Sequence, residues 1–411
     1  MIAVLVQRAA SVVSLAALLV ACGEEPATVS ARDSADIRIT TIGLRPTAVP
    51  EWHLLDPPLV QLTGAEAGDT AAFANVTAVR WLPSGRLVVA DAGARRLLVY
   101  DSTGAFVRSL GRAGDGPGEF RRIATVTAMP GDSIAVFDAT HRRVSVWHPE
   151  VGPVRSVTLT GETSLDDFPQ QAWPWGDSLI VVQHLAVMPL DSVPPANGVR
   201  RWPQRARLTL RHATTGALLR RGPSFDGTYT GLVEQGDVRL PFAHRHFVAV
   251  GRDRVCYGSG ARFVVTCLGT DFEPVAELHW PRHEERLTKQ EVDRLRAESR
   301  ATARGNSSPA PRNSPHFARE ILPEIRPAIG RLLIASDGSF WVERFEPIRM
   351  GASALPPGDR WTILTADGRP HARLVLPGAT QLEDVRGERV VVVHRDSLGV
   401  QRVTVHAVGR E

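Results

Sequence analysis

The chain has 411 residues, enough for two or three average domains or one large repeat domain. Hydrophobic residues make up 43 %, so a substantial core can form, and the 35 glycines and 30 prolines are scattered as turn residues rather than gathered into a disordered tail. The formal charge is a mild +4, Lys289 is the single lysine among many arginines, and no basic block with interleaved aromatics occurs, which argues against nucleic acid as a partner.

The first element in chain order is an apolar run at residues 9–20, preceded by Arg8 and ending in Leu19-Val20-Ala21-Cys22-Gly23. It is short for a bilayer span and suits the apolar core of a signal peptide. Leu-Val-Ala-Cys resembles a bacterial lipobox. That resemblance implies a signal peptide over 1–21, cleavage before Cys22, and lipidation of Cys22 as the contact with a membrane. The competing reading is an ordinary secretory peptide with a chance cysteine. Gly23 after the cysteine resembles the outer-membrane sorting pattern. The implied location is the bacterial cell envelope, facing the periplasm or the exterior. Several acyl chains would hold the protein firmly, since each buried CH₂ contributes ~0.8 kcal/mol. Residues 22–50 are polar, with one short β-like run at 37–42, and read as a flexible tether.

From residue 51 onward a repeat begins. Leu87-Val-Val-Ala-Asp-Ala-Gly-Ala-Arg-Arg-Leu-Leu-Val-Tyr-Asp101 is two apolar strands around a glycine-bearing turn, followed by a third strand at 105–111. Ile134-Ala-Val-Phe-Asp-Ala-Thr-His-Arg-Arg-Val-Ser-Val-Trp-His148 repeats it, and Arg254-Val-Cys-Tyr-Gly-Ser-Gly-Ala-Arg-Phe-Val-Val-Thr-Cys-Leu268 repeats it again. Weaker copies with insertions occupy 177–220 and 338–376. The last copy, 389–405, stops before a fourth strand. A period of 40–50 residues with three or four strands per unit predicts a β-propeller. Counting predicts six blades, with first strands near 76, 123, 170, 244, 329 and 380. An incomplete last sheet leaves an open edge, so Leu59-Val-Gln-Leu-Thr-Gly64 is expected to close the ring against it. With Cys22 lipidated, Cys256 and Cys267 remain as an even pair in an oxidising compartment. In repeat register they match Val89 and Tyr100, which predicts a disulfide across the hairpin.

The stretch 89–101 closely resembles the NHL repeat. Ser109-Leu-Gly-Arg-Ala-Gly-Asp-Gly-Pro-Gly-Glu-Phe120 resembles the inter-blade linker of that group, and the whole resembles bacterial lipoproteins with NHL- or TolB-like six-bladed propellers. The resemblance is good over two blades and diffuse elsewhere. In the fourth copy Gly258 and Phe263 replace Asp91 and Arg96. The implied fold is an all-β propeller over 51–411 with four-stranded blades. A helical excursion over about 282–320 is expected between blades 4 and 5. There Thr288-Lys-Gln-Glu291 is a capping box, with Leu287, Val292 and Leu295 as the apolar positions of a helix of roughly 12–16 residues. It reads as a solvated surface helix, with a lid or partner-binding arm as the sharper alternative.

Candidate chemistry lies in the turns between second and third strands. They supply Asp91, Arg95 and Arg96; Asp138, His141, Arg142 and Arg143; Arg262; and Arg395. The expectation is that Arg95, Arg142, Arg262, Arg395 and His141 converge on one face as a ligand site. The competing reading is that Asp91 pairs with Arg96, and Asp138 with Arg143, to stiffen the turns. His244 and His246, two apart on a strand, would point alike. They are weak metal candidates; a lyase family with an NHL-like propeller holds zinc with histidines, and a third ligand here could be His141, His184 or His394. Calcium of the lactonase-like kind is disfavoured by the scarcity of Asn. No cofactor is expected. Trp81, Trp147, Trp173, Trp175, Trp280 and Trp341 read as packing between blades. No hydrolase elbow, P-loop or zinc motif occurs. The leading expectation is a non-enzymatic, envelope-anchored propeller that binds a protein, peptide or cell-wall ligand. The alternatives are a metal-assisted lyase or hydrolase at the channel mouth, and a purely structural lipoprotein.

Overall fold

The computed structural model describes residues 29–34, 37–42, 49–62, 73–161, 168–186, 200–233, 236–238, 240–262, 264–279, 286–305, 317, 321–347 and 360–410. Cys22, the proposed signal peptide, Phe263 and Trp280 lie outside them. Four N-terminal strands, β1 (Val29–Ser34), β2 (Ile37–Ile42), β3 (Glu51–Leu54) and β4 (Val60–Leu62), precede six antiparallel meanders. The first strands of the meanders are Val76–Trp81, Ile123–Ala128, Phe168–Trp175, His246–Val250, Ile329–Ile334 and Thr380–Arg386, close to the starts expected from the repeat.

The second strands show why the repeat was readable. Every residue of Leu87–Asp91 and of Ile134–Asp138 is buried. A strand covered on both faces must read as a continuous apolar run. What covers them is the next sheet. Val88 and Val99 of blade 1 pack with Val126, Val136 and Trp147 of blade 2, and Val89 and Tyr100 pack with Val391 and Val403 of blade 6. The core therefore lies between blades, and the first strands are left to line a central channel.

In each meander the second-to-third turn and the linker to the next blade fall at the same end, because the strands alternate in direction. The linkers pass from blade to blade, so that end is a common face of the ring. We call it the linker face. The turns after first and third strands form the opposite face.

The expected closure is present. β4 pairs antiparallel with the last strand of blade 6, Gln401–Gly409, at Val60–Val405 and Leu62–Val403. β3 adds a second fastening. It runs parallel to the outer strand of blade 5 at Trp52–Leu374 and antiparallel to the end of blade 6 at His53–Gly409.

The tether expected over 22–50 needs correction. β1 and β2 form a hairpin, and β2 pairs parallel with the outer strand of blade 4, Pro274–His279, from Arg38–Ala276 to Thr41–His279. The outer strand of a blade offers a row of unpaired backbone groups, and the Ile37–Ile42 run has the alternation to use it, with Thr40 and Ile42 buried. The β-like run noted in the sequence is thus part of the propeller. Blade 4 also carries Cys256 and Cys267 on directly opposed positions, fully buried, with their sulfurs 1.97 Å apart.

Candidate functional site

The six first strands enclose a cavity of 2080 Å³. Near the linker face its wall is polar, with Thr77, Gln170, His246 and Gln381. Toward the opposite face Trp81, Trp173, Val250, Leu333 and Ile334 make it apolar. Trp81 and Trp173 are half-buried and do both: each lines the cavity, and Trp81 also packs against the core between blades 1 and 6 and Trp173 against that between blades 3 and 4, while Trp147, Trp175 and Trp341 are buried.

Charges crowd the wall formed by blades 4, 5, 6 and 1. Arg80 donates to the Glu383 backbone oxygen at 2.7 Å and lies 3.6 Å from its carboxylate. Burial pushes the Glu383 carboxyl above its ordinary value, against the pull of Arg331 and Arg80. Burial also raises Asp384, although Arg80 opposes it and the Trp81 N–H donates to Asp384 at 2.9 Å. Arg331 donates to the Leu382 oxygen and lies 5.5 Å from the Trp361 ring. Gly330 makes room for a neighbouring acid, since a Cβ there would stand 3.0 Å from Glu343 Oε2.

Arg245 is the most constrained of these cations. It is 8 % exposed, lies 5.3 Å over Phe345, and donates through Nη2 to the Glu346 oxygen at 2.9 Å. Its Nε has no hydrogen-bond partner among the described residues. Burial holds its guanidinium below the ordinary value; Glu343 opposes that effect, and Arg331 adds to it. A buried, under-bonded cation costs free energy unless an acceptor completes it.

One helix, α1 (Lys289–Gly305), covers part of the mouth on the linker face. The capping box forms as expected, with the Glu291 N–H donating to Thr288 Oγ1 at 3.2 Å and the Thr288 N–H to Glu291 at 3.0 Å. Val292 and Leu295 pack with Phe242, Phe317 and Phe345, and Arg326 reaches Glu291 at 3.1 Å. Its Glu291, Arg294, Leu295 and Glu298 face the cavity. The helix is docked at the mouth, not simply solvated.

Arg95, Arg142, Arg262, Arg395 and His141 do share one face of the ring, the linker face, because all sit at second-to-third turns, but they do not converge on this cavity. Only Arg395 lines it, half-buried and bonded to the Gly399 oxygen at 3.2 Å. Arg95 is exposed with φ 54°, Arg142 has φ 51° and lies 5.4 Å over Phe168, and Arg262 is exposed 3.8 Å from Asp226. His141 is held between Asp138 at 2.9 Å and Asp115 at 2.8 Å. The physical reason is radial. The turn between second and third strands stands one to two strand spacings, about 5–10 Å, outside the strand that lines the channel. Asp91 does lie 3.7 Å from Arg96. Asp138 instead takes His141, while Arg143 donates to the Glu119 oxygen at 2.7 Å.

The histidine pair is also placed differently. The strand begins at His246, and His244 lies before it. His244 bonds the Gly227 oxygen at 2.8 Å and meets Tyr229 edge-on. His246 Nδ1 accepts the Thr228 N–H at 3.1 Å, and burial, then His244, pushes its imidazole down to about 4. Each ring bonds the long outer strand of blade 3, Leu218–Val233, through one nitrogen, and His246 also lines the cavity. Among the described residues no three His, Cys, Asp or Glu side chains gather as metal ligands.

The family model DUF5128, described as a 6-bladed beta-propeller, matches residues 66–172, which span blades 1 and 2 and the start of blade 3. The fold is a six-bladed β-propeller. Among solved structures, a member of the DUF4221 family from Bacteroides vulgatus is similar at 10 % identity with a TM-score of 0.52, covering 88 % of this chain and 99 % of that one. A Bacteroides fragilis protein described as exported is 11 % identical, with a TM-score of 0.46 and coverage of 87 % and 99 %. A virginiamycin B lyase from Staphylococcus aureus is 9 % identical, with a TM-score of 0.35 and coverage of 84 % and 87 %. These likenesses concern the fold alone. No curated protein matches the sequence.

The charged channel wall was missed by the sequence reading. Arg80, Arg245, Arg331, Glu343, Glu346 and Glu383 are spread over nearly the whole chain. The available signal was local: Arg80, Arg331 and Glu383 are charges inside predicted first strands, where a half-buried strand has little reason to carry them.

Proposed function

We propose that this protein is a non-enzymatic binding propeller, anchored at the bacterial envelope through lipidated Cys22. It takes a protein, peptide or cell-wall ligand into its channel. The observation that carries this reading is Arg245, buried in the wall of a 2080 Å³ cavity with a donor left without a partner. Nε itself is closed off, so an incoming carboxylate or amide oxygen would have to turn the guanidinium toward the cavity that Arg245 lines to complete its hydrogen bonds. The amides of Gln170, Gln171 and Gln381 in the same cavity suit the amide groups of a peptide stem, and Trp81 and Trp173 suit its apolar part. The ligand site is thus the channel, not the turn arginines.

The envelope location is supported by the leader-like N-terminus and by the close pairing of Cys256 with Cys267, which needs an oxidising compartment to form and persist. No helix among the described residues is long and apolar enough to cross a membrane.

The test is calorimetric titration of soluble peptidoglycan fragments and of short acidic peptides into the purified protein and into Arg245→Met. The methionine keeps the packing on Phe345. Binding by the wild type that weakens at least about tenfold in the variant, a loss of about 1.4 kcal/mol, is the expected result. Binding that is unchanged in a stably folded variant would remove the channel from the reading.

A further inference from the structure

The N-terminal hairpin gives the propeller an orientation. β2 runs parallel to the outer strand of blade 4, so its last residue, Ile42, lies beyond His279 at the linker face. β1 returns antiparallel, and Val29 pairs with Ile42. The first described residue, Val29, therefore stands on the linker face, at the rim of blade 4. The excursion that carries α1 leaves from the same corner, directly after His279.

Seven peptide steps separate Cys22 from Val29. Fully extended they reach about 25 Å at most. A free tether over 22–50 would reach roughly 95 Å at most and would leave every orientation open. The blade strands are about six residues long, so the ring is about 20 Å deep. To lay the opposite face on a bilayer, the chain would have to descend that full depth from Val29 along the outside of blade 4. It would then have almost nothing left to reach the lipid.

We propose that the linker face of the propeller, with α1 over the channel mouth, is held toward the lipid surface, and that the Trp81–Trp173 mouth opens away from it. This rests on lipidation of Cys22. It adds to the binding reading a direction of entry: a ligand from the aqueous compartment meets the apolar end of the channel first, and its polar end travels inward toward Arg245.

The experiment uses full-length lipidated protein in phosphatidylethanolamine–phosphatidylglycerol vesicles that contain a headgroup-nitroxide lipid. Two single-label variants are compared. Leu398→Cys lies in a linker-face turn of blade 6 and is 87 % exposed as leucine, and Val151→Cys lies in an opposite-face turn of blade 2 and is 75 % exposed as valine. A fluorophore at position 398 quenched several-fold more than one at 151 is the expected result. Equal quenching, or stronger quenching at 151, overturns the orientation. If the wild type fails to float with vesicles and mass spectrometry finds no acyl chains on Cys22, the anchoring reading falls, and the orientation with it. A further variant, Thr40→Pro, breaks the β2 pairing and should bring the two labels toward equal quenching while vesicle attachment persists.

Discussion

Asp138 and Glu383 are both buried acids, yet their surroundings send them in opposite directions. Burial pushes Asp138 up, but the Arg121 and His141 N–H groups and the His141 ring outweigh it and hold the carboxyl below its ordinary value. Its contribution to stability is complete above the unfolded value of 3.8 and is lost as pH falls through the lower folded value. Glu383 is held above its ordinary value of 4.5, so the folded state keeps a proton that the unfolded state releases. Folding therefore weakens as pH rises from below 4.5 through the raised value. Asp138→Asn places an NH₂ group against backbone donors and should cost about 1–3 kcal/mol at neutral pH. It should also flatten the acid limb of stability against pH. Glu383→Gln should remove the opposing slope. Urea unfolding between pH 3 and pH 7, a range of about the ordinary carboxylate region, reads both.

The elements show a similar division of labour. The second strands were visible as apolar runs because neighbours cover both of their faces. The capping box of α1 was visible because Thr288 and Glu291 are three apart. Where α1 docks was not visible, since Phe242, Phe317 and Phe345 come from distant segments. Blade 4 supplies the prediction at this scale. Cys256 and Cys267 face each other on paired strands, and a disulfide between them would close a short loop of sequence separation 11. Loop-closure entropy for such a loop gives about 3 kcal/mol. The Cys256→Ala/Cys267→Ala variant should lose about that amount, measured by the denaturation midpoint at constant m. Denatured without reductant, wild-type protein should show no free thiol at Cys256 or Cys267, read by mapping the labelled cysteines.

For the whole ring, β4 decides whether the first and last blades hold together. Leu62 is 3 % exposed and joins Val79, Val89, Val391 and Val403 in one cluster. Leu62→Ala should cost about 2–4 kcal/mol, more than its short strand suggests, because it loosens two blades at once. Gly104 packs against the same strand. It has φ +90°, and a Cβ there would come 2.4 Å from Val60 Cγ1. Gly104→Ala should therefore destabilise as well, while alanine at Gly131, with φ +64° but nothing within 4 Å, carries only the backbone cost of about 1 kcal/mol. Thermal unfolding of the three variants provides the comparison.

The amino-acid sequence by itself determined the repeat, the blade count, the closure by the strand at Val60–Leu62 and the facing cysteines, because each rests on pattern within one or two strands. The tertiary structure alone decided what fills the centre. Arg80, Arg331 and Glu383 line one cavity because three blades turn their first strands inward, Arg245 joins them from the residue just before the first strand of blade 4, and the turn residues Arg95, Arg142 and Arg262 stay out because their turns stand farther from the axis. It also decided that residues 29–42 belong to blade 4. Alternation in a short strand marks a strand, but its partner is chosen by which edge lies open in three dimensions.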